Sequence, residues 1–587
     1  MRENTKNNLL YLVFTLGVIF LRVFYITKVK GPFVWTDELA YWGHAANLTG
    51  NSWAGVMNGM PWYAFGYSLC LIPLFLFTDQ VLLISRLAVF LNVVFSVLIF
   101  WLAVKVIRRL SDSSDPFFVG VTAFAATSYS ALVFQSYITW GETLLSLLAW
   151  TILYVMLRLE EEPALGKSLL LGLLLGYAYM VHNRMLAVIG AVFAMLLILV
   201  LIKKVPVKYL FGVFFTLALA FVIYLVLKQE LRSLILADQE LQSLGIETMI
   251  GKANTLEDQV QKIKSLFSVH GIGLFLKNLI GQIWHFLSAS YLAAGFGIIL
   301  CVSHLAAIFQ KREQKQLSLY LLPLLMLAAT AAMTALFFIE AGADSGRVRI
   351  DTYFYGRYND VFVPFFVAAG LCFLRERAEG SCRGRYGVTA CMVIYLAASF
   401  CVYRQVGQNA DFYLNTVSAV SIYTFHWLGD FAVWKCMLMA VSVGVILLAA
   451  TAFSRGKNFR EAVYGMQCMM LTLLFSATAF SCMRTVIRGE NDYIGQQTAL
   501  YEYLNENTAR GDIVYTLSQG KPAYDLQTRL VDKQVIPIEA SMVEQVADGS
   551  YLVLAGEDVS LLETIAFESC AETADYTVVR KTGQAAE

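Results

Sequence analysis

Two neighbouring carboxylates, Asp37 and Glu38 in the triplet Thr36-Asp37-Glu38, stand just past the first long apolar run. They lie among Phe33, Trp35, Tyr41 and Trp42 and close to His44. Crowded rings lower the local dielectric, and a second carboxylate raises the proton affinity of the first; such a setting can produce a general base. Spacing alone also describes a solvated loop acid, or a cap for a helix that starts at Glu38. Glu142 follows Trp140-Gly141 at the mouth of another apolar run, where a carboxylate is costly unless it is paired or used. One use is to orient an acceptor, or to bind a divalent cation such as Mg or Mn together with Asp37. The other reading is a first-turn residue stabilised by the helix dipole.

The basic residues near these acids are the second ingredient. His182-Asn183-Arg184 forms a polar triplet between two apolar runs. The segment 351–360, containing Gly356-Arg357-Tyr358, leads into another run, and Arg86 lies just inside the second one. A guanidinium fork grips phosphate in bidentate fashion. Arg86, Arg184 and Arg357, with Tyr358 beside the last, are therefore candidates for a phosphate clamp. Snorkelling to lipid headgroups accounts for the same arginines without a specific ligand. His44, Tyr63 and His182 are candidates for the acceptor side of such a pocket. His304 and His426 show no metal-ligand spacing, so no metal site is assigned, and Trp62, Trp140, Trp284 and Trp434 read as interfacial anchors.

The elements that must position these groups are membrane spans. Of 587 residues, 58% are hydrophobic and 15% charged, with 44 Lys+Arg against 43 Asp+Glu. Soluble proteins carry about 25% charged residues. The composition excludes a soluble enzyme, a disordered chain and a nucleic-acid binder. Ten cysteines lie mostly inside apolar runs, where they act as small hydrophobes, and make no disulfide framework. A bilayer core of about 30 Å needs about 20 apolar helical residues. Spans are expected near Leu9–Thr27, Val81–Val106, Phe117–Phe134, Thr143–Leu157, Ser168–Met180, Met185–Ile202, Tyr209–Leu227, Leu287–Phe309, Leu317–Ile339, Val361–Leu374, Val388–Tyr403, Val433–Phe453 and Val463–Val486. That makes about 13 transmembrane helices of an α-helical polytopic protein. The first run continues without a small-residue cleavage site and reads as an anchor.

Basic clusters fall in alternate short connections: Lys105/Arg108/Arg109, Lys203/Lys204/Lys208, Lys311/Arg312/Lys315, Arg375/Arg377/Arg383/Arg385 and Arg455/Lys457/Arg460. The positive-inside tendency makes all five cytoplasmic, with the N-terminus inside and the tail after Val486 outside. The run Pro61–Phe77 must then not cross, and its Pro61 and Pro73 suit a re-entrant piece. The mixed stretch Leu231–Leu279 reads as an interfacial amphipathic helix. Beyond Val486, runs at Ile513–Leu517, Gln534–Ile538, Tyr551–Ala555 and Tyr576–Val579 alternate with helical stretches. Two of these open with capping boxes, Ser541-x-x-Glu544 and Ser560-x-x-Glu563. The expected organisation is a membrane domain over 1–488 and a small, mostly parallel extracytoplasmic α/β domain over 489–587.

Asp37-Glu38 after the first span, the Pro-x-Tyr-x-x-Gly-Tyr stretch Pro61–Tyr67, Glu142 and Gly356-Arg357-Tyr358 together resemble the GT-C glycosyltransferases. The branch most similar holds the protein O-mannosyltransferases and the bacterial lipid A aminoarabinose transferases. The resemblance implies inverting transfer of a monosaccharide from a polyprenyl-phosphate donor to a cell-envelope glycan, lipid or protein on the extracytoplasmic side of the plasma membrane. It implies Asp37 as the base with Glu38 its usual neighbour, Arg357 on the donor phosphate by its Gly-Arg-Tyr setting, and Arg184 by place. Pro61-Trp62-Tyr63 stands where the mannosyltransferases have a His-Pro-Pro run, and no β-trefoil-like insertion is present; both weigh against a protein acceptor. The rival reading is a lipid or polysaccharide transporter or flippase. Such a protein should show internal repeats and charges near the midplane, and neither is visible here.

Overall fold

The computed structural model describes residues 2–33, 35–60, 64–246, 256–310, 316–339, 343–344, 347–380, 384–408, 412–415, 419–420, 422, 431–454, 456–556, 558 and 566–582. Outside them fall Pro61, Trp62 and Tyr63, the cluster Lys311/Arg312/Lys315, Arg383, His426, Arg455 and the Ser560-x-x-Glu563 box.

Helices dominate. The first half runs α1 (Arg2–Val23), α2 (Thr36–Leu48), α3 (Ala54–Asn58), α4 (Ser68–Phe77), α5 (Val81–Ser111), α6 (Pro116–Thr127), α7 (Ser130–Gln135), α8 (Glu142–Glu161), α9 (Leu165–Val181), α10 (Leu186–Leu201) and α11 (Val207–Leu236). Then follow α12 (Gln239–Ser243), α13 (Leu256–Ser265), α14 (Val269–Ala289), α15 (Ala293–Phe309), α16 (Leu317–Phe337), α17 (Val363–Ala378), α18 (Arg385–Gly407), α19 (Val433–Phe453), α20 (Lys457–Gln496), α21 (Thr498–Asn507) and α22 (Lys521–Arg529). Among the described residues nine helices are long and apolar enough to cross a membrane, or ten if one bent pair is a single span. Shorter apolar helices are α4, α6 and α9. This is a multi-pass membrane protein.

Apolar composition announces spans but not their breaks. The expected Phe117–Phe134 span is two helices, α6 and α7. Asp115 caps the start of α6 by accepting from Phe117 N, with Pro116 at the first helical position. Its end is met by the buried Arg22, which donates from Nη2 to Thr127 O at 2.7 Å. The expected Leu287–Phe309 span is also broken: α14 and α15 meet at 107°, and Tyr291 and Leu292 between them have left-handed backbone (φ 52° and 66°). Helix α4 spans about 15 Å at 1.5 Å per residue, too little to cross the core. The stretch expected as one amphipathic helix, Leu231–Leu279, is divided among the end of α11, α12, α13 and the start of α14.

Helix α17, which follows the Gly-Arg-Tyr turn, is fixed by close packing on α15. A Cβ on Gly297 would lie 2.0 Å from Phe366 O, and one on Gly370 1.9 Å from Ala293 O, so only glycine permits this approach.

Three short strands, β1 (Ala343–Asp344), β2 (Arg347–Arg349) and β3 (Phe412–Tyr413), form a small sheet near the turn. The larger sheet comprises β4 (Ile513–Thr516), β5 (Gln534–Pro537), β6 (Tyr551–Ala555), β7 (Phe567–Glu572) and β8 (Tyr576–Lys581), ordered β5-β4-β6-β8-β7. It is mixed, not mostly parallel. β4 pairs in parallel with β5 and β6, whereas β8 pairs antiparallel with β6 and β7. Only residues 573–575 separate β7 from β8, and so short a connection forces an antiparallel hairpin. The Ser541 capping box opens no α-helix; 540–545 is a 3-10 helix preceded by Glu539.

This C-terminal sheet region docks on the segment carrying Asp37. Arg529 Nη1 donates to Lys30 O at 2.8 Å, and Trp53 Nε1 to Val531 O at 3.0 Å. On the other flank Gln534 Nε2 donates to Asp238 Oδ2 at 3.0 Å, and Tyr515 OH to Glu240 Oε1 at 2.6 Å.

Candidate functional site: a two-arginine, two-carboxylate cluster

Asp37 and Glu38 are neighbours in the first turn of α2, but successive residues point about 100° apart on a helix, and the two carboxylates serve different walls. Glu38 is fully buried. Its Oε2 accepts from Phe33 N at 2.8 Å, and its Oε1 accepts from Thr139 N at 2.8 Å and from the Thr139 hydroxyl. Thr139 Oγ1 also accepts from Trp42 Nε1 at 2.8 Å. Glu38 thus ties the loop before α2 to the loop before α8. Burial pushes its carboxyl up to about 7, against the hydrogen bonds that favour the anion.

Asp37 faces the other way. Its Oδ2 lies 2.7 Å from Arg357 Nη2. Arg357 also donates from Nε to Glu142 Oε1 at 2.6 Å. Arg184 closes on the same carboxylate, from Nη1 to Oε1 at 3.1 Å and from Nη2 to Oε2. One guanidinium therefore bridges Asp37 and Glu142, and a second grips Glu142 bidentately. The Arg184, Arg357 and Glu142 side chains are at most 8% exposed and Asp37 is 20% exposed, so the cluster is reached from the Asp37 side.

Each member has a local reason to be there. Glu142 opens α8, where the helix dipole favours a carboxylate. Arg357 sits in a tight turn in which Gly356 O accepts from Asn359 N (2.8 Å) and Asp360 N (2.9 Å). A Cβ on Gly356 would fall 1.9 Å from His285 Cε1 of α14, so the Gly-Arg-Tyr sequence begins with the residue that lets the turn press against that ring. The Arg357 guanidinium lies 3.8 Å from the centre of the Trp140 ring, and Arg184 lies 4.5 Å from that of Tyr358. Burial opposes charge on Arg357, but Asp37 and Glu142 outweigh it and hold the guanidinium well above its ordinary value. His182 ends α9 and accepts at Nδ1 from Arg184 N at 3.3 Å; its ring packs 5.7 Å from Tyr358. Burial, and then the neighbouring Arg184, lower it to about 3, so it stays neutral.

Asp37, Glu142, Arg184, Arg357, Tyr358 and His182 are thus brought together from α2, α8, the α9–α10 turn and the loop before α17. Three candidates stand apart. Glu38 belongs to the Thr139 network. His44 is buried one face further along α2, its ring 6.4 Å from Phe65. Arg86 is on α5, reaching Thr27 O at 3.5 Å. Tyr63 lies outside the described residues. Sequence reasoning passed over Trp140, read as an interfacial anchor, and Asp360. Asp360 is buried, accepts from Tyr129 OH at Oδ1 at 2.5 Å, and is pushed up to about 7 by burial. The available signal was adjacency: Trp140 precedes Glu142 by two residues, and Asp360 follows Arg357 by three.

The donor set does not suit a divalent cation. Among the described residues no three His, Cys, Asp or Glu side chains converge. The two carboxylates that would have to ligate are each held by a guanidinium. A cleft of about 90 Å³ lined by Phe118, Arg375, Lys457, Arg460 and Tyr464 is at the far end of α17, about 24 Å of helix away. The site is defined by charge geometry and not by that cleft.

Fold and cluster together define a class: a multi-pass membrane protein carrying an acid–arginine cluster at one end of its helices. No family model matches the chain, and no curated protein matches it. Among solved structures, ArnT from Cupriavidus metallidurans bound to undecaprenyl phosphate aligns over 98% of this chain and 98% of its own, with TM-score 0.50 and 12% identity. The apo form of the same protein aligns over the same shares at TM-score 0.49 and 13% identity. AglB from Archaeoglobus fulgidus, in complex with an inhibitory peptide and a dolichol-phosphate, aligns over 95% of this chain and 70% of its own at TM-score 0.40 and 10% identity. At such identities the likeness to the bound ArnT structure is one of fold.

Proposed function

We propose that this protein is an inverting glycosyltransferase that moves a monosaccharide from a polyprenyl-phosphate donor to a hydroxyl of a cell-envelope acceptor on the extracytoplasmic face. The observation that carries it is Arg357, one guanidinium joined to both Asp37 and Glu142, with Arg184 converging on the same point. A carboxylate able to take a proton thus adjoins two cations able to neutralise a phosphate, at the end of the helices where a lipid headgroup sits. The ArnT structure of the same fold holds undecaprenyl phosphate, which supports a lipid phosphate as the ligand here.

In this reading Arg184 and Arg357 hold the donor phosphate, with Tyr358 and Trp140 as aromatic beds. Asp37 takes the proton of the acceptor hydroxyl, whose oxygen attacks the anomeric carbon. The bond from that carbon to phosphate breaks on the opposite side, with its electron pair leaving on the phosphate, so configuration inverts. His182 stays neutral beside Arg184 and lines the acceptor side. The alternate basic loops support an orientation with this end outside the cytoplasm. Residues 1–488 form the catalytic unit and 489–587 an extracytoplasmic domain whose contacts to Lys30 and Trp53 hold the Asp37 segment.

The test is transfer of radiolabelled sugar from polyprenyl-phosphate donors in membranes, comparing wild type with Asp37→Asn at matched folding and insertion. Loss of transfer by at least about 100-fold is expected of a missing base. Full activity in the variant overturns the role of Asp37. Label that stays on the lipid with every acceptor offered overturns the transferase reading in favour of a transporter.

A further inference from the structure

We propose that Glu142 fills the seat of the donor phosphate in the unliganded protein, and that the donor binds by exchanging this carboxylate off Arg184 and Arg357. The inference rests on the donor reading above and says how the same site is kept and emptied.

Two carboxylates and two guanidiniums close on one another, and every positive charge in the cluster is already paired. A phosphate added to that set would bring surplus anion among side chains that are nearly all buried, which is costly. A phosphate that replaces Glu142 keeps both guanidiniums paired. The seat has the right shape: two guanidiniums converge on two oxygens of one planar anion, the arrangement by which arginines bind phosphate oxygens. The arginines do not need Glu142 to stay in place. Arg357 rests on the Trp140 ring and is bonded to Asp37, while Arg184 rests on Tyr358 and its backbone is tied to His182. Among the described residues, two buried polar atoms flanking Glu142 in the chain, Trp140 Nε1 and Thr143 Oγ1, have no hydrogen-bond partner.

The exchange also links binding to chemistry. Arg357 divides its donors between Asp37 and the seat, so the anion that occupies the seat sets how firmly the guanidinium holds Asp37. After transfer, Glu142 competes again for the arginines and helps expel the spent polyprenyl phosphate.

The experiment is binding of undecaprenyl phosphate, against undecaprenol as control, to the full chain in nanodiscs. Wild type is compared with Glu142→Gln, which removes the competing charge, and with Glu142→Asp, which keeps the charge but draws it back from the arginines. Thermal unfolding verifies that each is folded. Both variants are expected to bind the phosphate lipid about 10-fold or more tightly than wild type, with undecaprenol binding unchanged. Equal or weaker binding by the folded variants, with wild type still preferring phosphate over alcohol, overturns the exchange and makes Glu142 a residue that merely positions the arginines. If no protein distinguishes the phosphate from the alcohol, the donor reading itself falls, and this inference with it.

Discussion

Glu38 and Asp37 are one residue apart, and their geometry predicts opposite consequences of removal. Glu38→Ala deletes the acceptor for three buried donors: Phe33 N, Thr139 N and the Thr139 hydroxyl. An unsatisfied buried donor costs about 1–3 kcal/mol, and relief from burying a carboxylate offsets part of the sum. A net loss of about 3–5 kcal/mol is expected. Glu38→Gln keeps the shape and one oxygen acceptor but turns an amide N–H toward a donor, costing about 1–3 kcal/mol. Denaturant unfolding of the reconstituted protein measures both.

The same group gives a pH signature. Burial raises the folded carboxyl from 4.5 to about 7. Between these values the folded protein keeps a proton that the unfolded chain has released, so stability falls as pH rises through that window and levels off above it. At about 1.4 kcal/mol per pH unit the wild type should lose about 3 kcal/mol relative to Glu38→Gln across the window. The reasoning is refuted if Glu38→Ala destabilises by less than about 1 kcal/mol while abolishing transfer, for Glu38 would then act in the chemistry and not in the scaffold.

Gly356→Ala puts a methyl group 1.9 Å from a His285 ring atom and displaces the adjacent Arg357. Transfer should drop about 100-fold with the chain still inserted, read by activity per folded molecule. Trp140→Leu removes the ring beneath Arg357, a contact worth about 0.5–2 kcal/mol. Undecaprenyl phosphate should bind about 3- to 30-fold more weakly in a titration of the folded fraction, and because the ring is buried the variant should also unfold more readily. Arg529→Ala breaks the contact to Lys30 O and leaves Asp525 without its guanidinium neighbour at 3.8 Å. Limited proteolysis should then cut the 28–35 loop faster, and transfer should fall with it.

The residues of the cluster are legible in the chain because each breaks a local rule. Arg184 and Arg357 are basic where the charge bias calls for neutral turns, Glu142 is acidic at the edge of an apolar run, and Asp37 is ringed by aromatics. That the four meet is a tertiary fact, since they lie on segments up to 320 positions apart (357 − 37). Hydropathy marks where apolar helix occurs but is blind to direction, so the turn at Tyr291-Leu292 and the break before Ser130 are invisible in it. The neighbouring acids illustrate the remaining limit. Composition gives Asp37 and Glu38 one environment, and only the helix rotation between them separates a half-buried partner of Arg357 from a fully buried partner of Thr139. In the C-terminal region the β4, β5 and β6 runs are β-branched and readable, whereas β7 (Phe567-Glu-Ser-Cys-Ala-Glu572) is polar and half exposed, with no pattern to betray it.

Helix α20 has 40 residues, about 60 Å at 1.5 Å per residue and twice the depth of a bilayer core. Its far end touches the C-terminal region through Glu490 to Lys521 (2.6 Å), and Gln497, the residue that closes it, reaches Asp575. A rod so long cannot lean in the lipid without swinging what it carries, and Arg529 rests on the strip of chain that leads to Asp37. Bilayer thickness, which sets the lean of any spanning rod, thereby bears by leverage on the segment that carries Asp37.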